Sequence, residues 1–147
     1  MNFPDKIVIG SDHEAYEYKQ TIIAFLEKQN ISITDVGTHS LESCDYPDYA
    51  HALAHEIENG NAEFGILLCG SGIGVSITAN RHRAVRAALC WKKEIAALSR
   101  QHNNANVLCM PARFISLENV LEMIQIFFTT DFEGGRHQRR VDKINEL

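Results

Sequence analysis

A cysteine that ends an apolar run and leads into glycines on alternate positions is where this sequence carries most chemistry: Ile66-Leu67-Leu68-Cys69-Gly70-Ser71-Gly72-Ile73-Gly74. A glycine-rich turn that opens a helix leaves backbone N–H groups converging on one point, which suits a phosphate or an enediolate oxygen. The positive end of the helix dipole also favours thiolate over thiol at Cys69. A basic sulfur facing an anion hole can take a proton from carbon. Taken alone, the turn is explained as well by tight strand-to-helix packing as by a site.

Spacing removes the commoner phosphate-binding signatures. A dinucleotide fingerprint needs a third glycine three residues after the second, where this chain has Val75. A P-loop needs Lys-Ser or Lys-Thr after its last glycine, and Val75-Ser76 follows Gly74. A cysteine phosphatase loop would place arginine six positions after the cysteine, again Val75.

Three other clusters offer polar groups at element ends. Asp12-His13 follows the apolar Ile7-Val8-Ile9-Gly10-Ser11 and could bind sugar hydroxyls or a phosphate, although a carboxylate there also caps a helix. His102-Asn103 supplies a group that titrates near neutral pH beside an amide suited to hydroxyls; a histidine at a helix end is also a favourable C-terminal charge. Arg136 and Arg140 fall on one helical face after Gly134-Gly135 and can fork around a phosphate dianion, or form a solvated basic tail. His51 and His55 are also four apart, but Ala52 stands where a zinc-protease helix has glutamate and no third ligand is evident, so a solvated helix face accounts for them.

The chain that must position these groups has 147 residues, 45% of them apolar, enough to bury a substantial core as one domain over residues 1–147. Fourteen Lys+Arg against nineteen Asp+Glu give a formal charge of -5, which argues against nucleic acid and anionic membranes as partners. No apolar run reaches spanning length and Met1-Asn2-Phe3-Pro4-Asp5-Lys6 does not read as a signal peptide, so a cytoplasmic location is expected. Cys44, Cys69, Cys90 and Cys109 contain no Cys-x-x-Cys pair and read as free thiols, with Cys90 and Cys109 as core fillers.

Short runs rich in Ile and Val alternate with stretches of helical period, the pattern of a parallel sheet covered on both faces. Strands are expected at 6–10, 31–36, 63–69, 85–89 and 106–110. Helices are expected at 16–29, 46–59, 74–81, 92–101 and 117–128, and residues 132–140 open a basic terminal helix. The fold class is α/β, a Rossmann-like three-layer sandwich with a five-stranded parallel sheet. Ligands bind beyond the carboxyl ends of such strands, where Asp12-His13, Cys69 to Gly74 and His102-Asn103 are expected to meet in one cleft.

Read together and in order, Gly10-Ser11-Asp12-His13, Asp45-Tyr46-Pro47-Asp48, Cys69 to Gly74, Ser76-Ile77-Thr78-Ala79-Asn80, Arg86-Ala87-Ala88, Ser99-Arg100-Gln101-His102-Asn103, Asn106-Val107-Leu108 and Glu133-Gly134-Gly135-Arg136-His137 resemble the ribose-5-phosphate isomerase B family, which includes the galactose-6-phosphate isomerase subunits. The resemblance implies interconversion of an aldose phosphate and a ketose phosphate through a cis-enediolate, without metal or organic cofactor. It implies Cys69 as the base between C1 and C2, His102 in ring opening, and Asp12 holding the sugar. Backbone N–H groups from Gly70 to Gly74, Ile73 included, and the Ser71 hydroxyl would stabilise the enediolate oxygen. His13, Arg136 and Arg140 would bind the phosphate, while Tyr46, Asn103 and Arg113 would contact the sugar or close the pocket.

The resemblance further implies a homodimer with shared sites, or a tetramer built from it, in which the C-terminal helix reaches the partner. Ribose 5-phosphate is the expected substrate, with galactose 6-phosphate or allose 6-phosphate isomerisation, or a non-catalytic sugar-phosphate-binding module, as alternatives. The chain departs from the family pattern at Glu14, where a small residue is usual, at Ser71, where threonine is commoner, and at Pro111, where glycine is usual. Val75 occupies the position from which some members supply a glutamate base, which points to the cysteine-based subgroup.

Overall fold

The computed structural model describes residues 2–147. Five strands, β1 (Lys6–Ser11), β2 (Ser32–Asp35), β3 (Phe64–Cys69), β4 (Ala87–Leu89) and β5 (Val107–Pro111), form one parallel sheet in the order β2-β1-β3-β5-β4. Six α-helices connect and follow them: α1 (Tyr16–Glu27), α2 (Tyr46–Glu58), α3 (Ile73–Ala79), α4 (Lys93–Asn103), α5 (Leu117–Thr129) and α6 (Arg136–Asp142). A 3-10 turn, His13–Ala15, joins β1 to α1.

Side chains alternate across a strand, and here both faces are apolar because both are covered. Ile7 and Ile9 of β1, Ile66 and Leu68 of β3, and Leu108 and Met110 of β5 pack with Ile22 and Leu26 of α1, Ala96 of α4, and Phe127 and Phe128 of α5. Val8, Leu67, Cys69, Val107 and Cys109 point the other way, onto Leu53 and Ala54 of α2 and Val75 and Ala79 of α3. The three-layer expectation holds on this pattern. Burial pushes the Cys90 thiol up to about 11 and the Cys109 thiol well above its ordinary value, as inert core fillers require. All four cysteines are free.

The expected elements differ from the observed ones mainly at their ends. The strand expected over 85–89 is confined to Ala87–Leu89, because the Arg86 amide donates to the side chain of Asn106 at 2.7 Å. The terminal helix begins only at Arg136. Gly134 and Gly135, with φ of 68° and 57°, redirect the chain first.

β1 sits between β2 and β3, so the chain leaves its carboxyl end toward one side of the sheet and leaves the carboxyl end of β3 toward the other. That divergence opens a crevice between the two loops. His102-Asn103 does not reach it. Helix α4 starts after β4 and must run antiparallel to the strands to re-enter at β5, so its last residues lie at the amino-terminal edge of the sheet. Over eleven residues the helix travels about 16 Å. The expectation that one chain gathers Cys69 and His102-Asn103 in one cleft is corrected by this direction of travel.

A buried ion pair ties α1 to the end of β2. Lys19 is fully buried, and its Nζ donates to Asp35 Oδ1 at 2.6 Å and Oδ2 at 2.7 Å, while Oδ1 also accepts from the Gly37 amide at 2.9 Å. Asp35→Ala leaves the Lys19 ammonium buried without its counter-charge. Urea unfolding of this variant is expected to show a loss of about 3 kcal/mol.

Candidate active site

The turn after β3 is shaped by one residue in the left-handed region. Gly72 has φ 72°, and a Cβ there would lie 2.6 Å from Leu89 Cδ1 and 2.9 Å from the Met110 carbonyl carbon. The chain reverses tightly enough for the Gly72 N–H to donate back to Cys69 Sγ at 3.1 Å. Cys69 is 5% exposed, and that exposed fraction opens into a cleft. Ser71 Oγ accepts from the Ile73 amide at 3.2 Å, and α3 begins there, where first-turn amides have no carbonyl partner within the helix.

The cleft has a volume of about 500 Å³, and Asp12, Tyr46, Cys69, Ser71, Gly74 and Arg113 contribute to its walls together with Gly70 and Ile73. Tyr46, the first residue of α2, lies close against the turn, since a Cβ at Gly74 would sit 2.3 Å from its ring. Asp12 caps the 3-10 turn with Oδ1 alone, accepting from the amides of Glu14 at 3.1 Å and Ala15 at 3.3 Å. Oδ2 is left for a ligand, so capping and binding are compatible roles. Burial pushes the Asp12 carboxyl above its ordinary value, against the pull of the Ala15 amide.

His13 opens the 3-10 turn beside the cleft, where its Nδ1 accepts from the Cys44 amide at 3.2 Å. The proton of a neutral ring is thereby assigned to Nε2, which becomes a donor. Backbone bonds from Ala112 to Cys69 O and from Arg113 to Gly70 O, both 3.0 Å, carry the β3–β5 pairing past the strand ends and bring Arg113 to the turn. Arg113 forms an ion pair with Glu14 whose carboxylate overhangs Gly70.

The remaining expected site residues gather at the opposite edge. The rings of His102 and His137 stack with centroids 4.2 Å apart and planes 9° from parallel, and Glu133 Oε1 lies 3.8 Å from His102 Nε2 and 3.5 Å from His137 Nε2. Burial, followed by the nearby His102 and Arg136, pushes the His137 imidazole below its ordinary value, so a neutral ring lies against His102. Arg136 and Arg140 stand exposed on α6. Asn103 lines a separate groove of about 590 Å³ with Arg86, Ala88, Ala105, Ile144 and Leu147. One chain therefore holds a thiol-and-amide half and a histidine-and-arginine half, well apart.

Two residues not singled out from the sequence complete the cleft rim beside the expected Ile73, which is 51% exposed: Phe114 is 76% exposed, and Ile77 is 55% exposed on α3. The spacing of Ile73 and Ile77 puts both on one helical face and was readable. A lone Phe114 gives no such signal. Glu14 entered only as a departure from a family pattern, and its ion pair joins residues 99 positions apart.

Residues 7–144 match the family model described as Ribose/Galactose Isomerase. The chain is 40% identical over 142 residues to ribose-5-phosphate isomerase B of Escherichia coli, an alignment covering 97% of this chain and 95% of that protein. The crystal structure of a ribose 5-phosphate isomerase from Thermotoga maritima superposes with a TM-score of 0.95 at 49% identity, covering 97% of this chain and 98% of that one. The crystal structure of ribose-5-phosphate isomerase B from Mycoplasma genitalium with bound ribulose-5-phosphate gives a TM-score of 0.93 at 39% identity, covering 99% and 97% of the two chains.

Gly72 and Gly60 allow the turn's packing requirement to be separated from its backbone requirement, since Gly60 has φ 78° with nothing within 4 Å of an added Cβ. Gly60→Ala is expected to cost about 1 kcal/mol in chemical denaturation, the left-handed penalty alone. Gly72→Ala adds the clash with Leu89 and Met110 and is expected to cost about 3 kcal/mol.

Proposed function

The chain belongs to the ribose/galactose isomerase family, and on that premise we propose that it interconverts ribose 5-phosphate and ribulose 5-phosphate, with Cys69 as the carbon base. The observation that carries this reading is the Cys69 sulfur, bound by the Gly72 amide on the wall of the glycine-turn cleft. In the forward direction the thiolate takes the C2 proton of the open-chain aldose and leaves a cis-enediolate. The thiol returns that proton to C1 while a proton passes from O2 to O1, giving the ketose. No electrons leave the substrate.

The developing oxyanion is met by the turn from Gly70 to Gly74, through backbone N–H groups and the Ser71 hydroxyl. Removal of one such donor typically costs about 3 kcal/mol of barrier. Oδ2 of Asp12 and Tyr46 take sugar hydroxyls and His13 Nε2–H donates to a phosphate oxygen; the reading is supported by Asp12 and Tyr46 in the cleft wall and by the hydrogen bonds that occupy Asp12 Oδ1 and His13 Nδ1. Six-carbon substrates are the weaker reading, since the relatives described above carry five-carbon names.

His102, Asn103, Arg136 and Arg140 enter through a second subunit. A homodimer in which each chain lends its histidine-and-arginine edge to the other's cleft supplies ring opening and phosphate binding together. Exposed Ile73, Ile77 and Phe114 at the cleft rim are suited to that contact. Stacking on neutral His137 would hold the His102 ring in place. A tetramer would pair two such dimers.

Cys69→Ala is expected to lower turnover on ribose 5-phosphate by about 10²- to 10⁴-fold while leaving the fold intact; near-normal turnover would remove Cys69 as the base. A mixing experiment tests the shared site. Inactive Cys69→Ala and His102→Ala proteins, unfolded together and refolded at equal ratio, should regain about a quarter of wild-type activity, because each hybrid dimer has one complete site. No recovery would mean that each site draws both groups from one chain. Glu14→Gln should remove a negative charge from the cleft wall and free Arg113 to contact the sugar, which lowers KM several-fold with kcat nearly unchanged.

A further inference from the structure

Four side chains unused by the isomerase reading converge at the far end of α2. His51, His55 and Glu58 belong to that helix, and His82 comes from the turn after α3. Nδ1 of His55 and Nδ1 of His82 each lie 3.0 Å from Glu58 Oε1, with all three atoms within 4.8 Å of one another. On the other side of the His82 ring, Nε2 is 2.7 Å from His51 Nδ1. None of the four lines the cleft, and the helix from Tyr46 to Glu58, 13 residues, is about 20 Å long. The pair His51 and His55 had no third ligand in the sequence pattern; the fold supplies two more polar groups.

The spacing is that of ligands around one small cation. Imidazole nitrogen and carboxylate oxygen bind zinc at about 2.0–2.2 Å, which puts neighbouring donors of a tetrahedron roughly 3.3 Å apart. The bare site instead directs two imidazoles at a single carboxylate oxygen. His82 is held firmly: its side chain is 13% exposed, and it makes edge contacts with the rings of His51 at 5.0 Å and His55 at 5.3 Å. Glu58 Oε1 lies between the two rings, within hydrogen-bond distance of both Nδ1 atoms, where one ion can replace both hydrogen bonds. A metal-bound histidine commonly donates its second N–H to an outer partner that fixes the ring, and His51 Nδ1 is placed to accept from His82 Nε2.

We propose that His55, Glu58 and His82 bind a divalent transition metal of the zinc class, with His51 orienting His82 and the fourth position open to water. Two nitrogens and one carboxylate oxygen select zinc, cobalt or nickel over calcium and magnesium, which prefer oxygen throughout. On binding, His55 and His82 coordinate as neutral rings that carry their one proton on Nε2, exchanged there through solvent, so that both Nδ1 lone pairs turn from Glu58 to the metal and His82 Nε2–H faces His51 Nδ1. The ion clamps α2, which begins at Tyr46, to the turn that follows α3. It has no part in moving the substrate proton.

The test is titration of the chelator-treated full chain with Zn²⁺ by calorimetry and with Co²⁺ by visible absorption. Wild type should take one ion per chain, show the intense visible bands of four-coordinate cobalt, and melt at a higher temperature with Zn²⁺ bound. His82→Ala and, independently, the exposed His55→Ala should abolish these signals while keeping isomerase turnover. His51→Ala should weaken binding by about 10- to 100-fold. Absence of saturable binding in wild type would overturn the proposal. So would unchanged binding in both alanine variants, which would move the ion elsewhere, the His102–Glu133–His137 group being the other such cluster among the described residues.

Discussion

The contact on which this molecule depends most is the approach of the Gly72 backbone to Leu89 and Met110, two neighbouring strand ends that leave no room for a Cβ. Because the chain must pass through that gap in the left-handed conformation, the Gly72 amide turns back onto the Cys69 sulfur instead of outward to water. The same turn starts α3 and sets the face of Gly74 against which Tyr46 lies. A thiol, a set of amides and an aromatic wall thus take their positions from one steric restriction. Flexible side chains could not hold them as closely, since each would lose rotamer freedom on ordering.

The histidine-and-arginine edge is organised by a buried cation. Arg100 is 4% exposed, with its guanidinium over the rings of Phe64 at 5.1 Å and Phe127 at 5.7 Å. It donates to the Thr130 carbonyl and to Asn104 Oδ1, fastening the end of α4 to the segment that follows α5. The Glu133 amide donates to Gln101 O at 3.0 Å, which brings the start of α6 onto the same helix end. His102, Glu133 and His137 meet there as a consequence. Burial lowers the tendency of Arg100 to hold its proton, yet its carbonyl and ring partners replace the lost water.

Parallel-sheet topology separates the two halves. Every crossover helix in such a sheet returns from the carboxyl edge to the amino edge, so groups at strand ends and groups at helix ends face opposite ways. The thiol belongs to the first kind and His102 to the second. The ion pair of Glu14 with Arg113 lies in the wall of the thiol cleft and joins the two sides of the crevice.

The apolar runs, the helical periods and the glycines after Cys69 were enough to derive a covered parallel sheet and a thiol at a strand end, because alternation and turn chemistry are local properties of a chain. Element ends moved by a few residues where a side chain such as Asn106 competed for a backbone amide. Local information did not carry the pairing of Glu14 with Arg113, the stacking of His137 on His102, or the meeting of His82 with His51, His55 and Glu58. Those contacts join positions that only the sheet order and the crossover directions bring together. Sequence alone determined which groups were available for chemistry; the tertiary structure decided which of them share a site, since distance in space depends on the register of strands and the path of the helices between them.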